Sequence, residues 1–316
     1  INELDVKIND VSDLISIINK YDSNKKYCFN YSKLVKLKKP LIRLNNLVGL
    51  ENIKIEIINQ IFYFLQDLHS SEMYHTVICG PPGVGKTLLG SILAKIYNNL
   101  QIFGSKKVRF KIVKRQDLIG EYLGHTAIKT QKVIDEIEGG VLFIDEAYSL
   151  GNNNDSKDIY SKECIDTLNQ NLSEKKNKFI CILAGYEDQL DSCFFSVNKG
   201  LKRRFPFKYT IKNYNSKELT KIFINMIRKN KWKIDNKLLK DNSKLYDFID
   251  INKDNFIHYA GDIELLFLNS KIAYSKRIFG KINNNNKLLI YDDISDGYVV
   301  FIKDRKKNMI NHMMYT

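Results

Sequence analysis

The chain of 316 residues has no apolar run long enough to cross a bilayer as a helix. Its longest apolar runs are strand-like pieces such as Val141–Ile144, which argues against a membrane partner. No secretory signal opens it. It begins at Ile1 rather than at a methionine, so it reads as a piece of a longer protein, and the missing leader excludes little. Cysteine is sparse and unpatterned: Cys28, Cys79, Cys164, Cys181 and Cys193 are odd in number and lack metal-ligand spacing. Three of them, Cys79, Cys164 and Cys181, lie in apolar stretches. The set reads as buried free thiols, as expected in the cytoplasm or another reducing intracellular compartment. No internal repeat is visible, and no motif suggests a Ser-His-Asp arrangement. Arginine is scarce as well, confined to positions 43, 109, 115, 203, 204, 228, 277 and 305. The net charge of +14 therefore comes almost wholly from lysine. Those lysines are scattered and accompany heavy use of Asn, Ile and Tyr. A solvated surface shaped by AT-rich coding explains the charge better than a nucleic-acid footprint, which favours clustered Arg.

What is present is a core and a rhythm. Hydrophobic residues make up 44% of the chain, enough for a packed interior. Residues 1–45 pair an apolar cluster (Val11–Ile18) with a Lys-rich stretch ending at Pro40, predicting a short helix followed by an extended linker. An amphipathic helix is expected over Glu51–Gln66. Strands are then expected at Thr76–Cys79, Val108–Val113, Val141–Ile144, Phe179–Ala184 and Phe207–Thr210. They alternate with helices at Thr87–Tyr97, Ala127–Ile137 and Lys162–Leu172, which implies a parallel sheet covered on both faces. Beyond Asn213 the pattern predicts helices only, near Ser216–Lys229, Asn236–Ile249, Asp262–Phe279 and Tyr291–Lys306, with Trp232 as a core residue among them. The expected organisation is an extension over 1–45, an α/β domain over 46–210, and a helical lid with a C-terminal tail over 211–316.

Two motifs carry chemistry. Gly80-Pro81-Pro82-Gly83-Val84-Gly85-Lys86-Thr87 matches G-x-x-x-x-G-K-[ST], placed after a strand and before a helix. Its backbone N–H groups can close around phosphate oxygens, helped by the positive end of the helix. Lys86 then reaches the β and γ phosphates, and the Thr87 hydroxyl ligates Mg²⁺. Pro82, Gly83, Val84, Gly85, Lys86, Thr87 and Leu88 are accordingly expected to bind ATP. The second motif is the strand Val141–Ile144 ending in Asp145 and Glu146. Asp145 can hold the magnesium from the strand's carboxyl end, and Glu146 can activate the attacking water. His75, ahead of the first strand, is expected to pack or cap rather than to ligate.

The order of these motifs, with Arg203-Arg204-Phe205 following, resembles the AAA+ ATPases. More narrowly, Gly120-Glu121-Tyr122-Leu123-Gly124-His125-Thr126 and Gly139–Tyr148 resemble the CbbX/SpoVK group, which includes the red-type Rubisco activases. Ile182–Tyr186 and Asn198–Leu201 extend the likeness, which is dense between Thr76 and Pro206. The resemblance implies a P-loop NTPase fold: a five-stranded parallel sheet of order 5-1-4-3-2 followed by a helical lid. It places Val48 and Gly49 against adenine, and makes Tyr122 and Leu123 an aromatic pore loop that grips a polypeptide. It makes Arg204, with Arg203 as second candidate, a finger reaching a neighbouring subunit's nucleotide. A homo-oligomeric ring, a hexamer by resemblance, follows from that last role.

Two positions depart from the family's pattern. Gly185 stands where a polar sensor, Asn or Thr, is usual. Glu264 stands where many relatives place a sensor Arg in the lid, with Lys271 and Arg277 further along as substitutes. The functional expectation is an Mg-dependent ATPase that remodels a protein client. A nucleic-acid motor or loader ranks second, and an ATP-gated scaffold with little hydrolysis third.

Overall fold

The computed structural model describes all residues except 1–6, 23, 28, 69–71, 105–108, 123, 152–157, 199, 240–243, 282–285 and 315–316, with side chains to residue 306. The chain divides into two compact units, residues 1–81 with 86–212, and residues 213–316 with the four loop residues 82–85.

The first unit opens with α1 (Val11–Asn19), capped by Asp10 and Asp13 in a reciprocal capping box. The Lys-rich stretch that follows is helical, not an extended linker: α2 (Tyr31–Lys36) and α3 (Lys38–Asn45) are separated only by Leu37. Pro40 is tolerated because it lies in the first turn of α3, where backbone N–H groups have no intrahelical acceptor. Leu34, Leu37, Leu41 and Leu44 recur at helical spacing and are all fully buried, while the lysines between them face water. Burial of each such leucine stabilises the unit by roughly 1.5–3 kcal/mol. The expected amphipathic helix is α4 (Glu51–Leu65).

Then β1 (Thr76–Cys79), α5 (Lys86–Asn99), β2 (Phe110–Val113), α6 (Arg115–Leu118), α7 (His125–Glu136), β3 (Gly140–Ile144), α8 (Ile159–Glu174) and β4 (Phe179–Gly185) follow. A single turn, α9 (Glu187–Gln189), leads through short irregular helical stretches to β5 (Phe207–Thr210). All five strands are parallel, in the order β2-β3-β4-β1-β5, which is the expected 5-1-4-3-2 read from the other edge. Every residue of β3 and β4 is buried, so these central strands read as unbroken apolar runs, whereas edge strands β2 and β5 are partly exposed. The second strand is shorter than expected; Val108 lies outside the described residues. Cys79, Cys164, Cys181 and Cys193 are buried and form no disulfide among the described residues, and Cys28 lies outside them.

The second unit is not purely helical. It begins with α10 (Ser216–Lys229), closed by an Asn215–Glu218 capping box. A two-residue strand, β6 (Lys233–Ile234), follows. The helix expected over Asn236–Ile249 is instead a short 3-10 turn at Asn236–Leu238 and then α11 (Lys244–Ile251). After α12 (Ala260–Ile278), β7 (Leu288–Leu289) pairs in parallel with β6, and α13 (Tyr291–Met314) runs past the expected end at Lys306. Arg277 fastens α12 to α13 through a bidentate pair with the buried Asp293, Nε–Oδ1 2.8 Å and Nη2–Oδ2 2.9 Å. Trp232 packs edge-on against Phe267 and Tyr274.

Candidate functional site

The strand–loop–helix unit around Lys86 positions the charged groups of the first unit. β1 ends at Cys79, paired in register with Gly185 of β4, and the Gly80 N–H donates to the Gly185 carbonyl at 3.2 Å. The start of the loop is thereby fixed to the carboxyl edge of the sheet, where open α/β sheets bind ligands. Lys86, the first residue of α5, folds its ammonium back onto that start. It donates to the carbonyls of Gly80 (2.7 Å) and Pro81 (2.8 Å), and its Nζ stands 5.3 Å from the centre of the Tyr186 ring. Burial pushes the Lys86 ammonium down from its usual value, while Asp145, Cys79 and Glu146 draw it back up. Thr87 and Leu88 follow in the first turn of α5, Thr87 half-buried and Leu88 exposed.

Gly85 is exposed. Its φ of +89° is one that side-chain-bearing residues rarely adopt, and a Cβ built there would meet nothing within 4 Å. Crowding therefore does not call for glycine at this position; the backbone conformation does. In the second unit, the Val84 carbonyl accepts a hydrogen bond from the Tyr214 hydroxyl at 2.9 Å; Val84 is buried, Pro82 half-buried and Gly83 exposed. Val48 and Gly49 lie just ahead of α4: Val48 is buried, and Gly49 and Leu50 both have positive φ, a sharp local bend in the chain.

Asp145 and Glu146 follow β3 directly. The Asp145 N–H donates to the Val113 carbonyl at 2.9 Å, which fixes its backbone to β2. Glu146 is exposed and in the left-handed region (φ 52°, ψ 44°), so the chain reverses there into a 3-10 turn at Ala147–Leu150. The Tyr148 hydroxyl is pushed up to about 12 by burial first, then by the charge of Glu146 and by Tyr186. Asp145 and Thr87, the two residues expected at the metal, offer oxygen donors only. That suits Mg²⁺, which takes few protein ligands and completes its shell with water and phosphate oxygens. Among the described residues no group of three or more His, Cys, Asp or Glu could enclose a metal by itself.

The remaining expected site residues lie apart from this cluster in sequence. Arg204 is half-buried, its Nε donating to Ser173 Oγ (2.6 Å) and its Nη1 to the Gly200 carbonyl (2.6 Å). Its Nη2 makes no hydrogen bond among the described residues; burial and the neighbouring Arg203 lower its affinity for its proton. Arg203 itself is exposed. Beneath Arg204 lies His75, fully buried as a packing residue. The Cys181 N–H donates to its Nδ1 (3.0 Å), so Nε2 carries the proton and faces the Leu172 carbonyl (3.2 Å).

Tyr122 stands in the turn before α7 and is 65% exposed. Its carbonyl accepts from the His125 N–H, and the His125 ring lies edge-on to the tyrosine ring at 5.4 Å. That pairing gives His125 a place that motif matching alone left blank. Leu123 lies outside the described residues. Of the two lid cations named as sensor substitutes, Arg277 is committed to Asp293 and the Leu288 carbonyl, and Lys271 lies over the Phe267 ring at 4.7 Å. Glu264, at the position in question, offers no positive charge.

Comparison with known proteins adds four findings. Residues 76–212 match the family described as "ATPase family associated with various cellular activities". A cfxQ-like protein of Acanthamoeba polyphaga mimivirus is 42% identical over 288 residues, covering 90% of this chain and 70% of that protein. Stage V sporulation protein K of Bacillus subtilis is 39% identical over 160 residues, covering 51% of this chain and 48% of its own length. Among solved structures, the FIGL-1 AAA domain in complex with ADP superposes with a TM-score of 0.58 at 18% identity, covering 81% of this chain and 82% of that one.

Proposed function

This chain belongs to the AAA family of ATPases and, within it, to the CbbX/SpoVK group, and from that premise we propose that it hydrolyses ATP at the subunit interfaces of a ring and remodels a protein client. The observation that supports the reading is Lys86 at the start of α5 within electrostatic reach of Asp145 and Glu146, which follow β3 at the carboxyl edge of the sheet.

In this mechanism the backbone N–H groups of Gly83–Thr87 bind phosphate oxygens, and Lys86 exchanges its loop carbonyls for the β and γ phosphates. Val48 and Gly49 flank the base. Thr87 and Asp145 hold Mg²⁺, which when bound neutralises phosphate charge. Glu146 orients a water and takes its proton as the water attacks. Arg204, held at Nε and Nη1, presents Nη2 toward the nucleotide of an adjacent subunit, so full activity requires assembly into a homo-oligomer, a hexamer. Tyr122, backed by His125, and Leu123 next to it grip the client as the cycle moves them. An exposed aromatic on a turn can stack on many side chains without sequence preference. The scatter of the lysines favours protein over nucleic acid as that client.

The test is the ATPase rate per subunit across a range of protein concentrations, with Glu146→Gln as control. A rate that rises steeply with concentration and vanishes in the control is expected. A flat, near-zero rate despite tight ATP binding would refute the hydrolysing ring in favour of an ATP-gated scaffold. Stimulation by DNA or RNA that falls steeply with salt, and none by protein, would refute the client class.

A further inference from the structure

Arg204 carries its charge without an acid to meet it: among the described residues no carboxylate pairs with it. Two neutral oxygens hold it instead. Its Nε donates to Ser173 Oγ and its Nη1 to the Gly200 carbonyl, each at 2.6 Å, as short as hydrogen bonds from a charged donor become. Gly200 leaves room for this, since a Cβ there would stand 3.1 Å from Nη1.

Ser173 is set for its part by its surroundings. It lies half-buried in the last turn of α8, and its hydroxyl hydrogen is directed at the Asn169 carbonyl one turn back (3.3 Å). The lone pairs of the oxygen are therefore left for the guanidinium. The neighbours of both residues are seated on His75. The Leu172 carbonyl, next to Ser173, faces His75 Nε2 at 3.2 Å, and Phe205, next to Arg204, lies against the imidazole with ring centres 5.7 Å apart. His75 is in turn fixed to the central strand β4 through the Cys181 N–H. The hydroxyl and the guanidinium thus meet on a common, fully buried footing.

A neutral holder matters for an arginine that must act on phosphate. A carboxylate at this place would fix the guanidinium as firmly, but its negative charge would oppose the attraction to a phosphate and occupy the donor fork. A hydroxyl sets the direction and leaves the positive charge standing.

We propose that Ser173 is a positioning residue for ATP hydrolysis in the adjacent subunit, its hydroxyl aiming Arg204 while leaving the guanidinium's charge unopposed. This rests on the reading of Arg204 as a finger that serves a neighbour. Ser173 acts through Arg204 and not on ATP.

The experiment compares kcat, KM for ATP and melting temperature of the full chain at a protein concentration where the rate per subunit no longer rises. The variants are Ser173→Ala, Ser173→Thr, Ser173→Asp, Arg204→Ala, and Ser173→Ala combined with Arg204→Ala. Ser173→Ala should lower kcat about 10- to 100-fold with KM changed less than about twofold, and should melt close to the parent. Ser173→Thr keeps the hydroxyl and should stay within about threefold of the parent rate. Ser173→Asp should hold the guanidinium yet lose about 10-fold or more, because the charge is now opposed. In the Arg204→Ala background the serine change should cost nothing further. Mixed with Glu146→Gln, Ser173→Ala should regain activity, since its own pocket is intact and the partner's finger is well aimed. A Ser173→Ala kcat within about twofold of the parent, while Arg204→Ala is inactive, overturns the proposal and leaves the finger reading standing. So does a further loss in the Arg204→Ala background, or no recovery on mixing where Arg204→Ala recovers; either marks a serine that merely supports its own fold. A Ser173→Asp chain with the parent's kcat overturns it as well. Should Ser173→Ala melt early, Ser173→Thr and Ser173→Asp carry the comparison, and equal rates in those two overturn the proposal. A parent chain without ATPase activity, or an Arg204→Ala chain with the parent's rate, overturns the reading of Arg204, and this proposal with it.

Discussion

Lowering the pH from 7 to 5 should weaken the fold through one buried imidazole, His75. Its Nδ1 accepts a hydrogen bond from the Cys181 N–H and its Nε2–H faces the Leu172 carbonyl, so the ring is neutral and already fully engaged. A second proton would set an N–H on Nδ1 against the Cys181 N–H in a fully buried space. Burial pushes the imidazole down from 6.5 to about 4, with Arg204 adding in the same direction and the Leu172 carbonyl opposing. Because the folded value lies below the unfolded one, the unfolded chain binds more protons between them, and stability falls as the pH drops through that window. Above about pH 6.5 the group is neutral in both states and has no effect. The two values give a loss of about 2 kcal/mol at pH 5 and about 3 kcal/mol once the pH falls below 4. Against a typical total of roughly 5–15 kcal/mol, that is a large share from one side chain. Urea unfolding at pH 7, 6 and 5 measures it, with His75→Gln as reference, since the amide keeps an acceptor and a donor but does not titrate. The parent should lose about 2 kcal/mol more than His75→Gln between pH 7 and 5. Equal losses would refute the assignment of that proton to His75.

Three further outcomes follow from the site. Gly85→Ala forces a side chain into φ +89° and into the open volume of the loop, so affinity for an ATP analogue should fall at least about tenfold by titration while the melting temperature moves by only a few degrees. Arg204→Ala should keep nucleotide affinity but lose about 10³-fold in hydrolysis. Mixing it with Glu146→Gln should restore activity, because an intact finger from one subunit then serves an intact pocket on the next; no recovery in a mixing assay would place Arg204 outside the interface. Tyr122→Ala, on an exposed turn, should leave stability within about 0.5 kcal/mol and basal ATPase within about twofold, yet abolish work on a protein client. Full remodelling by that variant would remove the tyrosine from the mechanism.

The nucleotide-handling half of this molecule was legible because its signals are local. Gly80–Thr87 and Val141–Glu146 each state strand, turn and chemistry within a few residues, and the buried central strands stand out as short apolar runs. Where meaning depends on distant partners, sequence was silent or misleading. The lysines of residues 32–39 and the proline at 40 predict an extended linker, although Leu34, Leu37, Leu41 and Leu44 carry helical spacing. β6 and β7 are two residues each and pair across more than fifty positions of chain, too short to show any period. Gly185 stands where a polar sensor is usual; only the fold brings Tyr148, far away in sequence, onto the same spot.

The helices before residue 46 bear on how a minimal version of this ATPase should be cut. α3 lies against α5, the helix that begins with Lys86, and Asn99 at the far end of α5 donates to the Lys36 carbonyl at 2.6 Å. Motif boundaries alone would recommend a fragment starting at Asn46. That cut would strip the brace from the phosphate-loop helix and open a leucine-lined seam to water, inviting aggregation and a slack loop. A fragment starting ahead of Asp10 keeps the cap of α1, all four leucines and the brace.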